Sequence, residues 1–244
     1  LYMLEAELAH SERLASIGRL AAGVAHEVGN PLTGIASLAQ NLRDESDPRL
    51  IRESIALIQQ QIKRIRDIVQ ALVAFSHGGA PTDRVVAPLD LRECVEEALQ
   101  LVRLSHAARR VVCANDCEAR LTLVGDRQRL VQVFVNLLTN ACDASRAGDT
   151  VRVTARAQDG QVQIEVVDQG CGIPAELHER VFEPFFTTKP PGQGTGLGLP
   201  LVYNIVQDHG GAVRVESAVG HGTCIVLRLP LEGEELPAPR ATTP

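Results

Sequence analysis

The sequence predicts a multi-domain chain in which an all-α helical hairpin precedes an α+β domain with a mixed sheet. Apolar residues recur at steps of three and four in two stretches, which predicts two long helices. Helical patterns then interleave with short alternating strands, which predicts the second domain as an α/β sandwich. The predicted boundaries are 1–77 for the hairpin, 78–89 for a linker, 90–231 for the second domain and 232–244 for a disordered tail.

The composition argues against a nucleic-acid-binding protein and against a membrane-spanning segment. The 244 residues are 45% hydrophobic, enough for a core in each domain. A net charge of -6 argues against a nucleic-acid partner. No stretch reaches the roughly 18 apolar residues of a membrane span and no signal peptide is evident, so we expect a cytoplasmic fragment without membrane contact. Because the chain begins inside a predicted helix, we expect a piece of a longer protein, for which membrane anchoring stays open.

The first predicted helix, over residues 1–43, carries a histidine that faces away from its apolar seam. That seam runs through Leu14, Ile17, Ala21, Val24 and Val28. His26 lies two residues from Val24 and Val28, roughly 200° from each around the helix. Glu27 is its neighbour, Asn30 shares its face, and Pro31 predicts a kink because it lacks a backbone donor. This pattern favours a reactive site over a packing role.

The second predicted helix has a regular heptad pattern. Asp47 can cap it and Pro48 can open it. Its apolar residues are Ile51, Ile55, Ile58, Ile62, Ile65, Val69 and Leu72. One hairpin cannot cover two such stripes, so we expect two copies to pair into a dimeric four-helix bundle. A simple dimerisation stalk is the alternative, but it does not explain the outward His26.

The second domain is predicted from caps, alternation and turns. Asp90 and Glu93 form a capping-box pattern, Asp126 can cap a further helix, and Asp159-Gly160 predicts a hairpin turn. The predicted helices cover about 90–105, 126–145, 175–181 and 196–209, and the strands about 110–115, 120–124, 150–157, 161–168, 212–217 and 223–230.

Two polar motifs of this domain suggest a ligand site. Asn136 and Asn140 are four residues apart and share a helix face, where amide oxygens can hold a hard cation such as magnesium. A merely polar helix face is the alternative. Asp168-x-Gly170-x-Gly172 follows a strand, where a carboxylate can accept from an amine and glycines allow a flat ligand to approach the backbone.

A glycine-rich loop and a final turn complete the set. The loop runs from Glu183 to Leu199 and opens a helix, a combination that binds anions. Its candidate residues are Lys189, Gly194, Thr195, Gly196, Leu197 and Gly198. The turn Gly220-His221-Gly222-Thr223 supplies Thr223 between the last two strands. The spacings match neither a dinucleotide-binding fingerprint nor a P-loop.

Together, these motifs behind His26-Glu27-x-x-Asn30-Pro31-Leu32 resemble the core of a bacterial two-component sensor histidine kinase, of the nitrogen-regulation type. The resemblance covers about residues 10–231. It implies a dimerisation and histidine-phosphotransfer domain followed by an ATP-binding domain of the gyrase, chaperone and histidine-kinase type. It also implies a homodimer, ATP and Mg²⁺ as cofactors, and phosphotransfer to an aspartate of a response-regulator receiver protein.

The resemblance assigns roles to the candidate residues. It makes His26 the phosphoacceptor, Glu27 its base, and Asn30 the residue that orients water during partner dephosphorylation. Asn140 is the expected magnesium ligand, with Asn136 near the phosphates, Asp168 at the adenine amine and the glycines, Lys189 and Thr223 around the nucleotide. Asp143 departs from the family pattern, because many relatives carry a basic residue there.

Two other functions fit part of this pattern. A clamp-type ATPase needs a carboxylate one turn before Asn136, but that residue is Gln132. A non-catalytic scaffold with a vestigial pocket is disfavoured by the intact glycines and asparagines.

The six cysteines show no zinc-site spacing, and we expect them to be reduced thiols. Cys171 lies between Gly170 and Gly172, so its oxidation could block nucleotide binding, but no adjacent basic residue activates it and we expect an ordinary thiol without a regulatory role.

Overall fold

The computed structural model describes residues 28–77, 85–103, 110–190 and 194–231. The described chain divides into two compact units. One unit combines the N-terminal helices with Pro184–Leu197, and the other holds the remaining residues from position 85 onward. The described part of the glycine-rich loop therefore groups with the helices, although the sequence places it within the second domain.

The first unit contains two consecutive helices. Helix α1 is described over residues 28–41 and continues through Pro31, which is buried. Helix α2 spans Pro48–His77. The N–H of Arg49 donates to Asp47 Oδ1 at 2.8 Å, which confirms the predicted cap. Within the described residues, no helix combines the length and apolar character that crossing a bilayer requires.

The second unit is an α/β sandwich. Its elements are β1 Val86–Asp90, α3 Leu91–Val102, β2 Val112–Cys117, β3 Thr122–Asp126, α4 Arg127–Ala144, β4 Thr150–Gln158, β5 Gln161–Val167, α5 Gly198–Asp208, β6 Ala212–Ser217 and β7 Thr223–Pro230. The main sheet has the order β2-β4-β5-β7-β6, in which β2 and β4 are parallel and the other pairs antiparallel. Strands β1 and β3 form a separate antiparallel pair.

The core lies between this sheet and helices α3, α4 and α5. Alternate residues of β4 and β5 are buried, as a strand with one covered face requires. The inward residues of these strands are Val151, Val153, Ala155, Val162, Ile164 and Val166. The apolar face of α4 packs over them through Leu130, Val133, Phe134, Leu137 and Leu138. Because this face is turned to the core, the polar residues of α4 are left on its other side.

Local signals located most elements correctly. Asp90 caps α3 by accepting from the N–H of Arg92 at 2.8 Å, and Asp126 caps α4 by accepting from that of Arg129 at 3.2 Å. Asp159 and Gly160 have φ of 50° and 75°, which fits the predicted hairpin turn.

Three predictions about elements were wrong. Residues 86–89, assigned to the linker, lie in β1, where Pro88 is tolerated because a two-stranded sheet consists of edge strands. The predicted helix over 175–181 is two 3₁₀ turns, Ala175–Leu177 and Arg180–Phe182. Strands β2 and β3 begin about two residues later than predicted, because side-chain patterns locate a strand better than its ends.

Candidate functional site

Asp168 lies at the end of β5 and is held by the backbone around it. Its side chain is buried, and Oδ1 accepts from the N–H groups of Gly170 at 2.8 Å and Thr223 at 3.1 Å. Burial raises the pKa of this carboxyl, although the two backbone hydrogen bonds act in the opposite direction. Because these two hydrogen bonds hold Oδ1 in place, the other carboxylate oxygen, Oδ2, points in a fixed direction and can accept a hydrogen bond.

The glycines near Asp168 are required by close backbone packing. A Cβ on Gly170 would lie 2.5 Å from the carbonyl oxygen of Ala144, and one on Gly172 would lie 2.0 Å from that of Ala218. Gly172 also has φ +72°, a conformation that side chains rarely adopt. The predicted residues Asp168, Gly170, Gly172 and Thr223 are therefore brought together where β5 ends and β7 begins.

Asn136 and Asn140 project from α4 toward the first residue of α5. A methyl group on Gly198 would lie 3.7 Å from Asn136 Oδ1 and 3.7 Å from Asn140 Nδ2. Asn136 Nδ2 is buried without a hydrogen-bond partner among the described residues. Native structures rarely leave such a donor unpaired, so this atom points to a ligand acceptor.

The two clusters adjoin the same end of α4. Ala144, whose carbonyl oxygen limits Gly170, lies one helical turn beyond Asn140 and so on the same helix face. The acceptor Asp168 therefore lies near the C-terminal end of α4, and the two amides lie one and two turns earlier along this helix. Such a set suits a ligand that carries both an amine and anionic groups.

The described part of the glycine-rich loop packs on itself. The N–H of Phe185 donates to the carbonyl oxygen of Gly196 at 2.9 Å, and a Cβ on Gly196 would lie 2.4 Å from the carbonyl carbon of Phe185. The N–H of Lys189 donates to Thr187 Oγ1 at 3.1 Å, and Gly194 packs beside the same hydroxyl. Thr195 Oγ1 accepts from the N–H of Leu197 at 3.4 Å. The loop candidates thus cluster within the first unit.

The candidates of the first helix are only partly described. His26 and Glu27 lie outside the described residues. Asn30 is exposed on α1. Its position on the helix surface leaves its amide accessible to a partner molecule.

Gly222 lies in the predicted turn between the last two strands, but it is not among the predicted site residues. Gly222 has φ +79°, and a Cβ there would lie 2.1 Å from the carbonyl oxygen of Asp168. Gly222 is therefore needed for Thr223 to reach Asp168. The position of this glycine immediately before Thr223 could have identified it. Its contact with Asp168, more than fifty positions earlier, could not be predicted from the sequence.

Comparison with protein families identifies both units. Residues 125–233 match the family described as "Histidine kinase-, DNA gyrase B-, and HSP90-like ATPase", which includes Asn136, Asn140 and Asp168. Residues 16–81 match the "His Kinase A (phospho-acceptor) domain", which includes His26.

Known histidine kinases are similar to this chain over most of its length. The signal transduction histidine-protein kinase AtoS of Escherichia coli K12 is 38% identical over 226 residues, which cover 92% of this chain and 36% of AtoS. The sensor histidine kinase ZraS of Klebsiella oxytoca is 35% identical and covers 95% of this chain. The chain spans 36% and 50%, respectively, of the lengths of these two curated relatives.

Solved structures of histidine kinases are also similar to this chain. The mycobacterial sensor histidine kinase MprB is 34% identical with a TM-score of 0.54, over 60% of this chain and 98% of the MprB chain. Histidine kinase ThkA, solved in complex with the response regulator TrrA, is 28% identical with a TM-score of 0.77, over 94% of this chain and 66% of its own. ShkA, solved with AMPPNP, is 26% identical with a TM-score of 0.64, over 87% and 46%.

The fold and the site define a protein with an ATPase-type nucleotide-binding domain behind a phosphoacceptor helical domain. The chain belongs to the bacterial two-component sensor histidine kinases, and it carries their catalytic core. The resemblance stated from the motifs is thereby confirmed, whereas the nitrogen-regulation type stays a prediction.

Proposed function

We propose that this core uses ATP and Mg²⁺ to phosphorylate His26 and then passes the phosphoryl group to an aspartate of a response-regulator receiver protein. One observation carries the proposal: a site built from Asn136, Asn140, Gly198 and Asp168 occurs in the same chain as a phosphoacceptor domain that contains His26. We assign residues 1–77 to dimerisation and phosphotransfer and 90–231 to nucleotide binding.

Asp168 is proposed to recognise the adenine. Its Oδ1 is already used by two backbone N–H groups, so Oδ2 is the oxygen available to accept from the exocyclic amine. Gly170 and Gly172 are proposed to let the backbone of this turn come close to the base. Thr223 fixes Asp168 through its N–H and its carbonyl oxygen, which accepts from the N–H of Asp168 at 2.9 Å.

The amides on α4 fit the phosphates and the metal. Asn140 is the proposed Mg²⁺ ligand through its side-chain oxygen, because Mg²⁺ prefers oxygen donors and shares substrate phosphates. The unpaired Nδ2 of Asn136 can donate to a phosphate oxygen. When bound, Mg²⁺ neutralises charge on the phosphates during transfer. From the resemblance, the loop residues Gly194, Thr195, Gly196, Leu197 and Lys189 are proposed as further nucleotide-binding residues.

At the acceptor, the residues of the first helix have separate roles. His26 attacks through a neutral ring nitrogen, and Glu27 accepts from the other ring nitrogen and so selects the tautomer. Glu27 is expected to contribute a factor on the order of 10²–10⁴ to the rate. Asn30, which is exposed on α1, is proposed to orient water when the phosphorylated partner is dephosphorylated.

Exposed apolar residues on α2 support a homodimer. Ile55, Ile62 and Val69 recur every seven residues on α2, and they are 44%, 45% and 45% exposed. A stripe of large apolar side chains with a heptad period matches a helix seam that a second copy covers. Sedimentation of the native chain and of Ile62→Glu tests this: a dimer that dissociates in the variant supports the pairing, and a native monomer contradicts it.

The phosphorylation itself is tested with γ-labelled ATP and Mg²⁺. Native protein is compared with His26→Ala and with the matched control His10→Ala, which removes another histidine of the same predicted helix. We expect label that is acid-labile and alkali-stable in the native protein and the control but absent from His26→Ala. ATP turnover without stable label, unchanged in His26→Ala, would instead support the clamp-type ATPase. Failure to bind ATP would support the scaffold.

A further inference from the structure

Two cysteines from separate elements meet beside the nucleotide site. Cys113 Sγ lies 3.7 Å from Cys142 Sγ, although the residues are 29 positions apart. Cys113 is half-buried on β2, and Cys142 is buried on α4, two residues after Asn140. Both are free thiols.

We propose that Cys113 and Cys142 form a redox-modification site, at which a peroxide converts the two thiols into a disulfide that weakens nucleotide binding. The modification stands on the geometry of the two sulfurs. Its effect on the nucleotide rests on the function proposed above.

The reaction balances with the peroxide as the only co-reactant. The Cys113 thiolate attacks one peroxide oxygen, the O–O bond breaks, and a sulfenic acid forms while the leaving hydroxide becomes water. Cys142 Sγ then attacks Cys113 Sγ, the S–O bond breaks, and the departing hydroxide takes the Cys142 proton. Two thiols lose two electrons and two protons in total, and hydrogen peroxide is reduced to two waters.

The environment of the pair suits these two roles. The hydrogen bond with Cys142 lowers the pKa of Cys113, and the positive charge of Arg103 acts in the same direction. By contrast, burial raises the pKa of Cys94, Cys117 and Cys224 to about 11. Cys113 is therefore the nucleophile that peroxide can reach, and buried Cys142 is the resolving thiol.

Formation of the Cys113–Cys142 disulfide would move residues of the nucleotide site. The sulfurs must approach each other by about 1.7 Å to bond. Among the described strands, β2 is an edge strand that pairs with β4 alone, so it can adjust, but the end of α4 must share the movement. Ala144 follows Cys142 by two residues, and its carbonyl oxygen leaves no room for even a methyl group on Gly170. A shift of this helix end therefore displaces Gly170 and the acceptor Asp168.

The experiment treats the reduced full chain with equimolar hydrogen peroxide. Peptide mapping identifies the linked cysteines, and a titration with a fluorescent ATP analogue and Mg²⁺ measures affinity before oxidation, after it, and after dithiothreitol. Cys113→Ser removes the nucleophile at a half-buried position. Cys171→Ser is the matched control, because this thiol is exposed and lies in the loop between Gly170 and Gly172. Phenylarsine oxide, which bridges paired thiols, reports the proximity of the pair without oxidation.

We expect one reducible link between Cys113 and Cys142, a nucleotide affinity about fivefold or more weaker, and recovery with dithiothreitol. Cys113→Ser should keep its affinity under peroxide and should not retain the arsenical, whereas Cys171→Ser should behave as native. A link between other cysteines, or a Cys113–Cys142 link with unchanged affinity, overturns the proposal. If the reduced chain binds no nucleotide, the proposed function fails, while the mapped link still decides the modification site.

Discussion

Gly198→Ala should separate nucleotide binding from folding. A Cβ at this position would meet no atom closer than 3.7 Å, an ordinary van der Waals distance. Gly198 is the first residue of α5, and alanine favours a helix over glycine by up to about 1 kcal/mol. The fold should therefore be kept, with a melting temperature that is unchanged or higher by a few degrees, about 2–4 °C at most.

The same methyl group should harm the site. It would lie 3.7 Å from Asn136 Oδ1 and 3.7 Å from Asn140 Nδ2, against the two amides that are proposed to hold the phosphates and Mg²⁺. A phosphate oxygen has to approach to roughly 2.9 Å of Asn136 Nδ2, and the methyl group narrows the space beside that amide. Loss of one hydrogen bond to a charged group costs about 1.5–3 kcal/mol. That energy corresponds to a dissociation constant roughly ten to a hundred times weaker.

The assay is a titration of native and variant chains with a fluorescent ATP analogue and Mg²⁺, alongside thermal melting. Gly34→Ala is the matched control, because Gly34 lies in α1 and no atom lies within 4 Å of its Cβ position. It should bind nucleotide as the native chain does. If Gly198→Ala bound with native affinity at native stability, the two asparagines would not hold the phosphates and the reasoning would be refuted.

Three further predictions concern the second unit. Asp168→Asn should weaken nucleotide binding about tenfold or more without unfolding the domain, measured by the same titration, because a near-isosteric amide replaces the charged acceptor. Gly222→Ala should cost about 1–3 kcal/mol more in urea unfolding than Gly220→Ala, since both have positive φ but only Gly222 meets the Asp168 carbonyl. Burial lowers the pKa of His209, whose Nε2 accepts from the N–H of Asp126 at 3.0 Å. Because the unfolded chain binds the proton more readily, stability should fall as pH drops below about 6.5, and His209→Gln should flatten that dependence in melts across pH.

Residues that interact with near neighbours in the chain were predictable. Asp47, Asp90 and Asp126 each cap a helix through bonds to residues two or three positions away. The alternation of β5 and the turn at Asp159-Gly160 likewise depend on adjacent residues. Gly170 and Gly172 were predicted to let a flat ligand approach the backbone, and the structure shows that both pack closely against other backbone, at the carbonyl oxygens of Ala144 and Ala218.

Contacts between distant segments were not predictable. Strand β1 forms because it pairs with β3, and its proline and the exposed Val86 resemble a linker when the partner strand is unknown. Cys113 is nearest in sequence to Cys117, but in the structure its Sγ atom lies 3.7 Å from that of Cys142. The sheet order brings β2 and α4 together, and no local pattern encodes that order.

By itself, the sequence determined the helix caps, the heptad stripe of α2, the strand alternation and the candidate residues Asn136, Asn140 and Asp168, because each depends on neighbours within a few positions or on residue chemistry. Only the tertiary structure decided that Gly198 faces both asparagines, that Gly222 packs against the carbonyl of Asp168, and that two thiols meet beside the site. These contacts join segments from different strands and helices. They exist only once sheet pairing and helix packing have set the register between those segments.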